Sequence, residues 1–207
     1  MRAVPIRSLV YIALCSAVFI VFTAIQLKMA FSPVPITLQT MAVIIAGMLL
    51  KPRDAFISIT IVIILGLFGL PVFAGKSGLS HVLGPTGGFI LYFPFGAMLI
   101  SLWINASIKK GTRLTVQKVI SLLVAFLLFS SWLAYVVGVP WFMAVLDDMT
   151  LAKALGLACY PFLLGDALKS VVALAVFIAL YKPIMKLRSQ QYGHSSKHNI
   201  ATVDTTQ

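Results

Sequence analysis

The chain has 207 residues, is 60% hydrophobic and only 10% charged, and has a mean hydropathy of +1.04. No soluble domain of this size carries so much apolar surface. The net charge of +11 invites a nucleic-acid reading, but the basic residues lie at the ends of apolar segments and not on one soluble face, which excludes it.

In chain order, hydropathy places six membrane spans, at 8–27, 36–50, 55–70, 89–108, 119–137 and 159–181. The expected fold is therefore an all-α integral membrane bundle of six transmembrane helices over residues 1–188. A polar tail at 189–207 is expected to be disordered and cytoplasmic. The second and third spans are short for a hydrocarbon layer of ~30 Å. Arg2 and Arg7 before span one admit a signal peptide, but Lys28-Met29-Ala30 is a poor cleavage site, so the span is read as a retained helix.

Basic residues set the orientation. Arg2, Arg7, Lys51, Arg53, Lys109, Lys110, Arg113, Lys118, Lys182, Lys186, Arg188 and Lys197 all fall on one side of the six spans, twelve of the 16 in the chain. The positive-inside rule then puts both termini in the cytoplasm of a multi-pass protein of the cell membrane. His194 and His198 in the tail could share a helical face, but a solvated tail explains them better than a metal site. Cys15 and Cys159 stand in apolar surroundings with no metal-like spacing and read as free thiols.

Span six carries the chemistry. Asp166 and Lys169 are three positions apart and share one helix face. Each charge costs roughly 2.5–3.5 kcal/mol at the centre of a membrane helix, so the pair must meet each other, water or a polar ligand. Lys182 marks the inner end of the span, and Lys169 lies about 20 Å before it at 1.5 Å per residue. That depth is in the outer half of the bilayer and fits a pocket open to the outside. The simpler alternative is an ion pair that locks two helices together.

The loop between spans three and four, residues 71–88, is rich in glycine, which lets backbone approach a ligand; an ordinary connector is the alternative. Gly75-Lys76-Ser77 imitates part of a phosphate-binding loop, but Leu70 stands where the first glycine is required and no strand precedes it. In span one, Ala13 and Ala17 form a small-x-x-x-small pair; on spacing alone an internal helix contact is the better explanation. Gly165-Asp166 has no second membrane aspartate to share acid and base roles, so an aspartyl-protease reading fails. No catalytic constellation is visible, and no cofactor or metal is called for. Two rivals stay open, a self-sufficient ion-coupled transporter and a membrane enzyme acting on lipid head groups. Convincing inverted repeats, the mark of the first, are not seen.

Three stretches together carry a resemblance: Pro33-Val-Pro-Ile-Thr-Leu-Gln-Thr40, the loop from Gly78 through Gly84-Pro-Thr-Gly-Gly88, and Pro161-Phe-Leu-Leu-Gly-Asp-Ala-Leu-Lys169. The chain resembles the BioY family, the biotin-binding S components of energy-coupling-factor (ECF) transporters, from about Ser8 to Tyr181. The resemblance implies an S-component-like bundle that captures biotin, and as partners a membrane coupling subunit and cytoplasmic ATPases. It implies that Ala13 and Ala17 dock on that coupling subunit. For the ligand, Asp166 is expected to accept from the ureido N–H and Lys169 to donate to the ureido C=O. Gln39, the backbone of Gly84, Pro85, Thr86, Gly87 and Gly88, and the hydroxyls of Ser77, Ser80 and Thr86 are expected around the ligand. Tyr92, Phe73 or Tyr160 are expected to flank the bicycle. Lys76 or His81 is expected near the carboxylate.

Overall fold

The computed structural model describes residues 6–108 and 113–201, with side chains described through residue 192. Arg2, Lys109 and Lys110 from the charge count, and the side chains of His194, Lys197 and His198, lie outside the described residues.

Helix α1 (Ile6–Ala24) turns Ser8, Ile12, Cys15, Ser16, Phe19 and Thr23 inward, a 3.6-residue repeat. Its hydroxyls are consumed inside the bundle: Ser16 Oγ donates to the carbonyls of Ile12 and Ser58, and Ser8 Oγ donates to Asp54 Oδ2 at 2.8 Å. The opposite face exposes Leu9, Val10, Leu14 and Val21. An apolar outer face with hydroxyls turned inward suits a helix surrounded by lipid.

The first departure from an all-α fold follows. Strands β1 (Gln26–Met29) and β2 (Ser32–Thr37) form an antiparallel hairpin where span one was expected to end and span two to begin. Pro33 and Pro35 forbid helix here, since each lacks an N–H and clashes with the preceding turn. Ser32 Oγ donates to Leu157 O at 2.7 Å and ties the hairpin to a distant helix.

Helix α2 (Gln39–Leu49) is short and apolar, and α3 (Pro52–Leu67) begins after a two-residue turn, with its proline at a helix start where no N–H is needed. Residues 71–88 are more structured than a flexible loop. Phe73 and Lys76 exchange backbone hydrogen bonds across Ala74 and Gly75, both at positive φ, as in a type I′ hairpin turn. A short helix α4 (Leu79–Val82) comes next.

Helix α5 (Gly87–Ser107) is the central post, packed against α2, α3 and α7. The expected fifth span is longer than 119–137. It comprises α6 (Val116–Leu127), a π turn (Leu128–Trp132) and α7 (Leu133–Val145). The expected sixth span is preceded by α8 (Leu151–Ala158), capped by the Thr150 side chain, and Cys159 breaks the line before α9 (Tyr160–Ala179). Among the described residues, four stretches are long and apolar enough to cross a bilayer: Ile6–Ala24, Gly87–Ser107, Val116–Val145 and Leu151–Ala179.

Gly88 and Gly138 let α5 and α7 touch. A Cβ on Gly138 would collide with the Phe89 ring, and one on Gly88 with Cβ of Trp141. Gly138→Ala should lower stability by about 1–3 kcal/mol, the usual range for overpacking. A thermal melt of the purified protein checks this, and an unchanged midpoint would mean that the helices are not so close.

Helix α10 (Tyr181–Ala201) continues through residue 188 into the segment expected to be disordered. Two of its side chains explain why: Arg188 is 2% exposed and Gln191 is 7% exposed. Arg188 donates to the carbonyls of Gly47, Met48 and Leu50, and to Ser101 and Asn105 of α5. Gln191 bonds Leu49 O and the Lys51 N–H. These groups satisfy the orphan carbonyls at the C-terminus of α2, where the helix dipole favours a cation. Residues 202–207 of the expected tail lie outside the described residues.

Candidate substrate-binding site

A cavity opens between the hairpin, the start of α2, the loop before α5, and helices α5, α7 and α9. Helix α9 brings Asp166 and Lys169 to its wall on successive turns. The Lys169 Nζ–Asp166 Oδ1 distance is 2.7 Å, and it is the one ion pair among the described residues. Lys169 Nζ also donates to Thr37 O at 2.8 Å and to Thr40 Oγ1 at 3.2 Å. Thr40 in turn donates to Asp166 Oδ1, and the Tyr135 hydroxyl donates to Asp166 Oδ2.

Hairpin, α2, α7 and α9 thus meet at one pair of charges. The three ammonium protons have three acceptors. The carboxylate, with about four lone-pair sites, accepts three bonds, which leaves room for one more donor. Thr37, Thr40 and Tyr135 give the pair partners within the protein itself, beside the bond between the two charges. The pair still faces a cavity and not lipid.

The walls mix threonine, proline and small apolar residues with four phenylalanine rings, Phe73, Phe89, Phe93 and Phe162. Phe89 meets Tyr135 edge to face, with centroids 6.2 Å apart. A cavity lined this way suits a small molecule with an apolar body and a few fixed hydrogen-bonding groups. His81 and Lys76 lie on the loop wall, and burial, then the neighbouring Lys76 charge, lower the His81 pKa from 6.5. His81 is therefore neutral at physiological pH.

Of the residues singled out in the sequence, Asp166, Lys169, Gln39, Pro85, Thr86, His81, Lys76 and Phe73 line this cavity. Ser77, Ser80, Gly84, Gly87, Gly88, Tyr92 and Tyr160 are not on its wall. Ser80 and Tyr160 are exposed, because α4 and the first turn of α9 carry them outward. The Gly84 carbonyl accepts from Trp141 Nε1 at 3.0 Å, and Gly87 and Gly88 are spent on packing against that tryptophan. Tyr92 donates to Phe129 O at 3.0 Å. Ala13 and Ala17 are exposed on α1, so they are not a contact inside the bundle.

Thr40 and Tyr135 were missed. Thr40 ends the Pro33–Thr40 stretch, and its hydroxyl was a legible signal. Tyr135 had only the weak signal of a phenol inside an apolar span, beside Ser130 and Ser131.

Fold and cavity together define a multi-pass, helical membrane protein with a cavity between its helices. Residues 1–186 match the BioY family. A probable biotin transporter BioY of Pyrococcus horikoshii is 37% identical over 163 residues, covering 77% of this chain and 90% of that one. The biotin transporter BioY2 of Lactococcus lactis is 30% identical over 185 residues, covering 89% and 95% of the two chains. A crystal structure of the S-component for biotin from an ECF-type ABC transporter superposes with a TM-score of 0.74 at 28% identity, covering 86% of this chain and 92% of that one. The chain belongs to the BioY family. Its relatives are transport proteins, and it is not an enzyme.

Proposed function

We propose that the chain captures biotin in the cavity at Asp166 and Lys169, facing the outside of the cell membrane, and delivers it as the S component of an ATP-driven ECF transporter. The observation that carries this is the acid–amine pair, Asp166 buried and Lys169 partly so, on the wall of a cavity that also presents four phenylalanine rings. Biotin has a ureido group with two N–H donors and one C=O acceptor, an apolar thioether ring, an apolar chain and a carboxylate. Asp166 keeps one acceptor site for a ureido N–H. Lys169 can turn one proton from Thr40 or Thr37 to the ureido oxygen while still neutralising Asp166. Phe89, Phe93 and Phe162 give the bicycle an apolar bed. Gln39, Thr86, Lys76 and His81 are the polar groups left for the rest of the ligand, with the carboxylate toward Lys76 or His81.

Topology and partners belong to the same proposal. Six spans with both termini in the cytoplasm put the cavity near the outer face, with α2 and α3 sheltered by their neighbours. Energy comes from a membrane coupling subunit and cytoplasmic ATPases, with Ala13 and Ala17 on the docking face of α1. Their exposure supports this, since small residues let a partner helix come close. Replacing both by leucine should leave biotin affinity within about twofold and abolish co-purification with the coupling subunit. Retained co-purification would remove α1 from the interface. Uptake that survives without ATPases but follows an ion gradient would instead favour a self-sufficient transporter.

A further inference from the structure

The π turn at Leu128–Trp132 has no role in the chemistry described so far, yet it stands between α6 and the residues of α7 that reach the cavity. A π turn closes i→i+5 and inserts one residue into the helical register. At 3.6 residues per turn, that rotates everything after it by about 100°. Ala134 and Tyr135 face the cavity as a result, next to Ser131 of the turn itself. Their neighbours Trp132 and Val136 are 52% and 67% exposed, on the outer side. Helix α5 braces the turn from behind. The Tyr92 hydroxyl donates to Phe129 O, and Gly96 lies so close that an added Cβ would be 2.5 Å from the same carbonyl.

We propose that Tyr92, acting through the π turn, places the Tyr135 hydroxyl on Asp166, and that both tyrosines are positioning residues for the ligand site. Tyr135 holds Oδ2 while Lys169 and Thr40 hold Oδ1, so the plane of the carboxylate is fixed from both ends. A fixed plane aims the remaining acceptor site into the cavity. Without the Tyr135 hydroxyl, the carboxylate can swing toward Lys169 and present that site elsewhere. This deepens the biotin proposal and rests on it for its effect on affinity, but the geometry can be tested without any ligand.

The experiment compares Tyr135→Phe, Tyr92→Phe, Asp166→Asn and the double variants Tyr135→Phe/Asp166→Asn and Tyr92→Phe/Tyr135→Phe, each as the full chain in detergent. In ligand-free protein, the Asp166 carboxylate stretch is isolated as the infrared difference between parent and Asp166→Asn. That band should shift in Tyr135→Phe and, in the same direction, in Tyr92→Phe. By calorimetry, Tyr135→Phe should weaken biotin binding about tenfold, the scale of one hydrogen bond to a charged group. It should cost nothing further on Asp166→Asn, and Tyr92→Phe nothing further on Tyr135→Phe, because residues acting through one another are not additive. An unmoved band, or losses that multiply across either pair, overturns the proposal. A parent protein that binds no biotin but shows the band shifts would sink the biotin reading and leave the positioning role standing.

Discussion

Asp166→Asn is expected to leave the bundle folded and to weaken biotin binding by tenfold or more. The carboxylate accepts from Lys169, Thr40 and Tyr135. An amide keeps one acceptor oxygen and sets an NH₂ against one of those donors. The neighbouring ammonium also loses its counter-charge inside the bilayer. A hydrogen bond to a charged group contributes about 1.5–3 kcal/mol, and each 1.4 kcal/mol is a factor of ten in affinity. Much of this effect should appear in binding, since Thr37 O and Thr40 Oγ1 still hold Lys169 in the folded protein. Calorimetry on parent and variant decides it; equal affinities would remove Asp166 from the site.

Arg188→Met should do the opposite, with a large loss of stability and little change in affinity. The guanidinium meets no carboxylate among the described residues; its partners are backbone carbonyls, a hydroxyl and an amide oxygen. Burial lowers its pKa to about 10, against an opposing push from Tyr192, so it remains a cation at neutral pH. Deleting it strands the C-terminal carbonyls of α2. The expected loss is about 2–4 kcal/mol, since a buried acceptor left without its donor costs about 1–3 kcal/mol and several lose theirs together. Arg188→Lys should recover little, because a point ammonium cannot match a planar fork. Thermal melts read the first effect, and biotin affinity of the folded protein should stay within about threefold. A Met variant as stable as the parent would mean that α10 does not clamp the bundle.

Asp166 and Lys169 were legible in the sequence because charge inside an apolar run must be explained, and their spacing settles the shared face. The long apolar segments were legible for the same reason that membranes sort them, by length and hydropathy. Other features were set by tertiary contacts that a linear pattern does not contain. Nothing in Leu128–Trp132 announces a π turn; the Tyr92 hydroxyl and the Gly96 gap support it from another helix. The hairpin did leave a mark, in Pro33 and Pro35, but a hydropathy window averages over it. Ser80 lies off the cavity wall because α4 turns it outward, and a glycine-rich stretch carries no linear sign of that short helix. Arg188 was counted among cytoplasmic charges, and charge counting does not distinguish a solvated arginine from one buried as a helix cap.

An isothermal titration of biotin into the detergent-purified parent chain tests the central claim most directly. Saturable heat at one biotin per chain, lost or much weakened in Asp166→Asn, is the predicted result. No saturable heat at millimolar biotin, or an isotherm indifferent to the Asp166 substitution, would contradict a vitamin held at the acid–amine pair.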